Sequence, residues 1–293
     1  MGPPLQSQGY MTELEDILLP SGKKLEFDRP LIMGVLNVTP DSFSDGGRFF
    51  ERQAAIDHAR AMVREGADII DIGGESTRPG AAEVSADEEL GRVVPVIEAL
   101  VDAGVDVPIS IDTTKAAVAA VAFAAGADIV NDVSALRFDP ELGPTTARHG
   151  AALILMHMRG TPRTMQAGTI EYDDVVQDIL AFLEERVAAA VEAGVERGRI
   201  MLDPGIGFGK TVEHNLEIVR RIGEFDRPGL PVVLGTSRKS FIGKVLDLPE
   251  DQRLEGTLAT VALGAFLGAA VLRVHDVRAA ARTARLAWAV AGH

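Results

Sequence analysis

Short runs of aliphatic and β-branched residues recur along the chain, each followed by a longer Ala- and Glu-rich segment with helical spacing. The runs cover residues 31–36, 69–72, 107–111, 129–133, 152–156, 200–202, 232–234 and 271–274. They are continuous rather than alternating, which indicates strands covered on both faces and hence a parallel sheet. Eight strand-helix repeats predict an α/β fold closed into a (β/α)8 TIM barrel. Gly66, Gly104 and Gly126 each stand where a helix hands over to a strand, as a left-handed helix end requires. Residues 17–27, with Pro20-Ser21-Gly22 in the middle, predict a hairpin ahead of the barrel that closes its bottom. An open doubly wound sheet is the alternative, but it normally puts a Gly-rich nucleotide turn after the first strand, and here that strand runs into Asn37-Val38-Thr39-Pro40.

Length alone, at 293 residues, suggests about two domains. The unbroken alternation instead predicts one barrel domain over 17–293, behind a flexible tail of residues 1–16 in which Met11 offers an alternative start. That tail lacks the basic start and apolar core of a signal peptide. The charge-free stretch 256–272 is too short for a membrane helix and reads as a buried helix feeding a strand. With Lys+Arg 29 against Asp+Glu 43 the formal charge is −14, and no basic run exceeds two residues. Nucleic acid and membrane are therefore not expected as partners, although one Arg and one Lys suffice for a nucleotide-sized anion. Cys 0 removes thiolate chemistry, disulfides and Cys-ligated zinc, and points to a reducing, cytoplasmic setting.

In a closed parallel barrel the chemistry sits at the carboxyl ends of the strands. Those ends read Asn37, Asp71, Asp112, Asn131-Asp132, His157, Asp203, Ser237-Arg238-Lys239, and Arg273 with His275. Strand alternation puts Arg273 and His275 on one face, and likewise Ser110 and Asp112. Any one Asp or Asn could simply cap the next helix; a polar residue at every end points to a site. The segment Asp203-Pro204-Gly205-Ile206-Gly207-Phe208-Gly209-Lys210-Thr211 ends like a phosphate loop but has Pro204 inside the spacer. Its glycines fit a backbone passing close to a flat ligand, with Phe208 as a stacking face. Residues 39–48, polar and Gly-containing, fit a mobile flap.

Seven segments together carry a resemblance: Asn37 to Gly47, Gly74-Glu75-Ser76-Thr77-Arg78-Pro79-Gly80, Ser110-Ile111-Asp112-Thr113, Asn131-Asp132-Val133, Asp203-Pro204-Gly205 with Phe208-Gly209-Lys210, Ser237-Arg238-Lys239-Ser240, and Arg273-Val274-His275-Asp276-Val277. In order and content they resemble the motifs of the dihydropteroate synthase family of pterin-binding enzymes. The resemblance implies condensation of 4-aminobenzoate with a dihydropterin methyl diphosphate in folate biosynthesis. It implies a pterin site of Asp112, Asn131, Met156, Asp203, Lys239 and Arg273, and a 4-aminobenzoate site of Thr77, Pro79, Phe208, Lys239 and Ser240, where sulfonamides compete in this family. A diphosphate site of Asn37, Thr77, Arg78, Arg273 and His275 is also implied, with Mg²⁺ held partly by Asn37, catalytic roles for Asp112, Asp203, Lys239, Asp45 and Arg78, and a homodimer. Apolar helices at 257–268 and 279–290 are candidates for the dimer face.

The chemistry is consistent with these residue types. A pterin edge asks for a carboxylate that accepts two hydrogen bonds, with Asn and Lys for the remaining groups. Loss of diphosphate leaves a cationic methylene that negative charge stabilises. An aniline nitrogen is nucleophilic at neutral pH, so no nucleophile-base dyad is needed. His157 reads as structural. A methyltetrahydrofolate-binding methyltransferase barrel and a catalytically silent paralogue remain as alternatives; the first needs no diphosphate site, and the second would tolerate loss of the Thr77-Arg78-Pro79 segment or of Lys239.

Overall fold

A computed structural model describes residues 14–38, 47–76 and 83–292. The chain opens with an antiparallel hairpin of β1 (Ile17–Leu18) and β2 (Lys24–Leu25), in register Ile17 to Leu25. Eight parallel strands follow: β3 (Leu31–Asn37), β4 (Ile69–Gly73), β5 (Ile109–Asp112), β6 (Ile129–Asp132), β7 (Ala152–Met156), β8 (Ile200–Asp203), β9 (Val233–Leu234) and β10 (Val271–Val274). The order runs from β8 through β7, β6, β5, β4 and β3 to β10 and β9. A parallel bridge from Leu202 to Val232, with the Leu202 N–H donating to Pro231 O at 2.9 Å, closes β8 onto the last strand. The barrel and its capping hairpin match the sequence expectation. Strand β5 begins two residues later than the apolar run suggests, because Pro108 has no N–H to give the ladder.

Between the strands lie α1 (Gly47–Glu65), α2 (Ala86–Asp102), α3 (Ala116–Ala125), α4 (Leu142–His149), α5 (Val175–Glu192), α6 (Val212–Arg220), α7 (Ser240–Leu246), α8 (Leu254–Phe266) and α9 (Val277–Ala291). Their apolar faces pack on the outward strand residues, among them Ile32, Ile70, Ile72, Val130, Leu153, Leu202, Leu234 and Leu272, in one large core. Gly66, Gly104 and Gly126 all take positive φ at helix ends, where a side chain would be strained. No helix among the described residues is long and apolar enough to cross a membrane.

The inward residues form a second core. Leu31, Met33, Ile69, Ile129, Ala152, Ile154, Met201, Val233 and Val271 cluster with Ile17, Leu19, Leu25 and Phe27 of the hairpin. The hairpin therefore stoppers the amino end of the barrel. Polar pins fix it: Lys23 Nζ donates to Val105 O and Val107 O, the Ser21 N–H to Asp128 Oδ1, and Arg199 Nη1 to Leu18 O.

Candidate active site

Inward parity is apolar low in the barrel and polar at its carboxyl end. Two residues beyond Ile69 on β4 comes Asp71, two beyond Ile129 on β6 comes Asn131, two beyond Met201 on β8 comes Asp203, and two beyond Val271 on β10 comes Arg273. A single pocket brings together Asp112, Asn131, Met156, Asp203, Phe208, Lys239 and Arg273. Val133, Gly205, Ile206 and Gly235 complete its wall.

Charge in the pocket is arranged around Arg273. Its Nε donates to Asp71 Oδ2 at 2.6 Å and its Nη2 to Asp112 Oδ2 at 2.8 Å, while Asn131 Nδ2 donates to Asp71 Oδ2 at 3.2 Å. Asp71 is wholly buried, and its Oδ1, like the buried Ser110 Oγ, has no hydrogen-bond partner within the described residues. Burial pushes Asp112 up to about 7, with Arg273 opposing and the Asp71 charge adding to the rise. Burial works against the Arg273 charge, but Asp71 and Asp112 outweigh it and hold the guanidinium above its ordinary range. An arginine has five N–H donors, so the two spent on carboxylates leave others for an incoming anion.

Asp203 is set by the turn that follows it. Its Oδ1 accepts the Gly205 N–H at 2.7 Å; burial raises its pKa while that hydrogen bond and the Lys239, Arg273 and Lys210 charges oppose the rise. Gly205 has φ +70, and a Cβ there would lie 1.9 Å from His157 O, so the turn admits only glycine. The Phe208 ring lies 4.1 Å from Lys239 Nζ, a cation-π distance, and packs with Val133, Met156, Met158 and Met165 in a separate apolar cluster. Lys239 immediately precedes α7, and the residue before it, Arg238, sits at φ 58 with its guanidinium on both oxygens of Asp276. Asp276 thus clamps the strained turn that aims Lys239.

The remaining expected residues are distributed differently. Asn37 ends β3 exposed at the barrel rim; a Cβ at Gly73 would lie 3.8 Å from Asn37 Oδ1 and 3.6 Å from Asp112 Cβ, so Asn37 borders the acidic side of the pocket. Ser240 is exposed at the start of α7 and does not line the pocket. Nor does His275, whose Nδ1 lies 2.9 Å from Ser237 Oγ; burial and the Arg273 charge lower it to about 4, so the ring is neutral at pH 7. Asp45, Thr77, Arg78 and Pro79 fall outside the described residues. The segments flanking 77–82 are tied together: Glu75 Oε1 accepts the Val84 N–H, and Lys115 Nζ bridges Glu75 Oε2 at 2.5 Å and the buried Glu89 Oε2 at 2.6 Å.

Sequence reasoning placed Asp71 at a strand end but gave it no role. Its signal was an acid at inward parity inside an apolar run, where only a partnered charge is tolerated. Among the described residues, no group of three or more His, Cys, Asp or Glu is placed to hold a metal ion.

Residues 33–275 match the family described as pterin binding enzyme. A dihydropteroate synthase from Bacillus subtilis (strain 168) is 50% identical over 259 residues, 88% of either chain. A Yersinia pestis dihydropteroate synthase solved with a sulfonamide drug complex superposes with a TM-score of 0.89 at 43% identity, covering 95% of this chain and 100% of that one. A Xanthomonas albilineans dihydropteroate synthase in complex with 7,8-dihydropteroate gives 0.84 at 41%, covering 94% and 98%. Fold, pocket and these similarities define a pterin-binding transferase on a (β/α)8 barrel. Within that class the chain belongs to the dihydropteroate synthase family.

Proposed function

We propose that the chain joins 4-aminobenzoate to (7,8-dihydropterin-6-yl)methyl diphosphate, giving 7,8-dihydropteroate and diphosphate. The observation that carries this reading is the convergence of Asp112, Asn131, Asp203, Lys239 and Arg273 on one pocket. Asp203 accepts the paired N–H donors of the pterin edge, and Asn131 and Lys239 meet the remaining polar groups. Met156 packs on the heterocycle.

The methylene C–O bond breaks first, and its electron pair leaves with the diphosphate. Asp112 and Asp203 face the resulting cation, which the pterin ring shares. The aniline nitrogen of 4-aminobenzoate then forms the new C–N bond and gives up one proton, which the released diphosphate takes. Arg273 and neutral His275 hold the departing diphosphate, with Thr77 and Arg78 as further contacts and Asp45 completing the catalytic set. Thr77, Pro79, Phe208, Lys239 and Ser240 form the 4-aminobenzoate pocket, which also admits sulfonamides.

The rim position of Asn37 fits a Mg²⁺ site, because its amide oxygen is a hard donor and most ligands of such an ion come from diphosphate and water. Held there, Mg²⁺ would supply charge neutralisation for the leaving oxygens. Exposed Leu263 and Phe266 on α8 and Leu286 and Val290 on α9 support a homodimer through these helices, which equilibrium sedimentation tests. The absence of cysteine supports action in the cytoplasm.

The deciding experiment mixes the purified chain with the pterin diphosphate, Mg²⁺ and 4-aminobenzoate and follows diphosphate release and dihydropteroate formation. Dihydropteroate must depend on all of chain, pterin and 4-aminobenzoate; release of diphosphate without dihydropteroate refutes the synthase reading.

A further inference from the structure

Lys210 ends the Gly-rich turn after β8 but does not line the pocket beside it. It is 4% exposed, and its Nζ lies 2.8 Å from His157 Nδ1, 3.1 Å from Phe208 O and 3.3 Å from His157 O. Burial pushes Lys210 well below the ordinary lysine range, and its Nζ donates to both carbonyls whether charged or neutral. Burial and the nearby Lys210 keep His157 down at about 2, so the ring that meets Nζ is neutral.

His157 immediately follows β7, so Lys210 fastens the 205–210 turn to the neighbouring strand end. The same turn is held by the Gly207 N–H donating to Asn215 Oδ1 at 2.7 Å and by the Tyr172 hydroxyl donating to Gly209 O at 3.0 Å. The Phe208 N–H donates to Gly205 O at 3.1 Å inside the turn, and the Lys210 contact ties the Phe208 carbonyl to the end of β7; the Phe208 ring in turn supports Lys239 Nζ at 4.1 Å.

We propose that Lys210 is a positioning residue for the reaction: by holding the Phe208 carbonyl on the end of β7, it fixes the aromatic wall against which Lys239 and 4-aminobenzoate are placed. The proposal rests on the reading of Phe208 as a wall of the 4-aminobenzoate pocket. It uses no contact between Lys210 and either substrate, so its loss acts on one substrate more than on the other.

The test is steady-state kinetics of Lys210→Met and Phe208→Ala beside the unaltered chain, varying each substrate in turn. Lys210→Met raises the KM for 4-aminobenzoate about tenfold, as loss of the buried hydrogen bonds that hold the wall predicts, and leaves the KM for the pterin diphosphate within about twofold. Phe208→Ala shows the same split. If Phe208→Ala does but Lys210→Met does not, or if Lys210→Met shifts both KM values equally, the role of Lys210 is overturned while the wall stands. If Phe208→Ala shows no rise, both fall. Should Lys210→Met not fold, His157→Ala decides, since it removes one of the three Nζ contacts: a smaller rise in the same KM upholds the proposal, and an unchanged KM overturns it.

Discussion

The two ends of the barrel are built from the same strands and differ in nearly every physical respect. At the amino end, Ile69, Ile129, Ile154, Met201 and Val233 are fully buried against one another and against the hairpin, and Ser21, Lys23 and Asp128 Oδ1 pair around them, with Asp128 Oδ2 left without a partner among the described residues. At the carboxyl end, one or two residues further along the same strands, buried acids sit close together, Asp71 Oδ1 and Ser110 Oγ lack partners, and Asp112 holds its proton far above the usual carboxylate range. One end is packed apolar against its hairpin, and the other gathers charge around a pocket. Stability and chemistry are thus separated along a strand by side-chain alternation and height, and substitutions at the two ends have opposite consequences.

The largest expected effects are on turnover at the carboxyl end. Asp203→Asn and Lys239→Ala each lower kcat/KM by about tenfold to a hundredfold or more, as loss of charge-assisted hydrogen bonds worth about 1.5–3 kcal/mol predicts. Thermal melting of both variants stays near that of the unaltered chain, and rates equal to it would break the comparison. Next comes the amino end: Ile154→Ala empties a fully buried position and costs about 2–5 kcal/mol in urea unfolding. Both KM values are unchanged in the folded fraction.

Asp112 sharpens the contrast through pH. Its folded pKa near 7 lies above the unfolded value of about 3.9, so the protonated form favours the fold and stability is lost as pH rises through that window. Asp112→Asn therefore raises the melting temperature at pH 8, by an amount that shrinks as pH falls from about 7 toward 4. The ionised acid is the one that faces a cation, so kcat/KM for the pterin substrate falls as pH drops through the same window. Arg273 holds the Asp112 value down, and Arg273→Met moves that acidic limb to higher pH. A limb that stays in place contradicts the assignment. The smallest effect is at the stopper: Arg199→Ala removes hydrogen bonds to Leu18 O and Gly150 O and costs about 1 kcal/mol, with kinetics unchanged.

Much of this contrast is local and therefore legible in the sequence. Continuous apolar runs, helix-ending glycines and the turn at Pro20-Ser21-Gly22 each act over a few residues, and they yielded the barrel and its hairpin. Strand ends, also local, gave Asp112, Asn131, Asp203 and Arg273 as candidates for one site, and alternation put Ser110 with Asp112 and Arg273 with His275. Other features were not legible. The sequence reading assigned Arg273 to an anion, yet its nearest partners are Asp71, 202 residues away, and Asp112. His275 and Ser240 read as parts of the same constellation, but neither lines the pocket.

What the sequence determined by itself is the repeat, the parity of each strand and the kinds of groups brought to the mouth of the barrel, since dihedral preferences and alternation need no distant contact. Only the tertiary structure decided that Asp71 holds Arg273, that Lys210 turns away from the pocket to grip His157 and Phe208, and that Asp112 is pushed up to about 7. Those outcomes depend on burial and on charges from strands far apart in the chain, and both come into being only when the barrel closes.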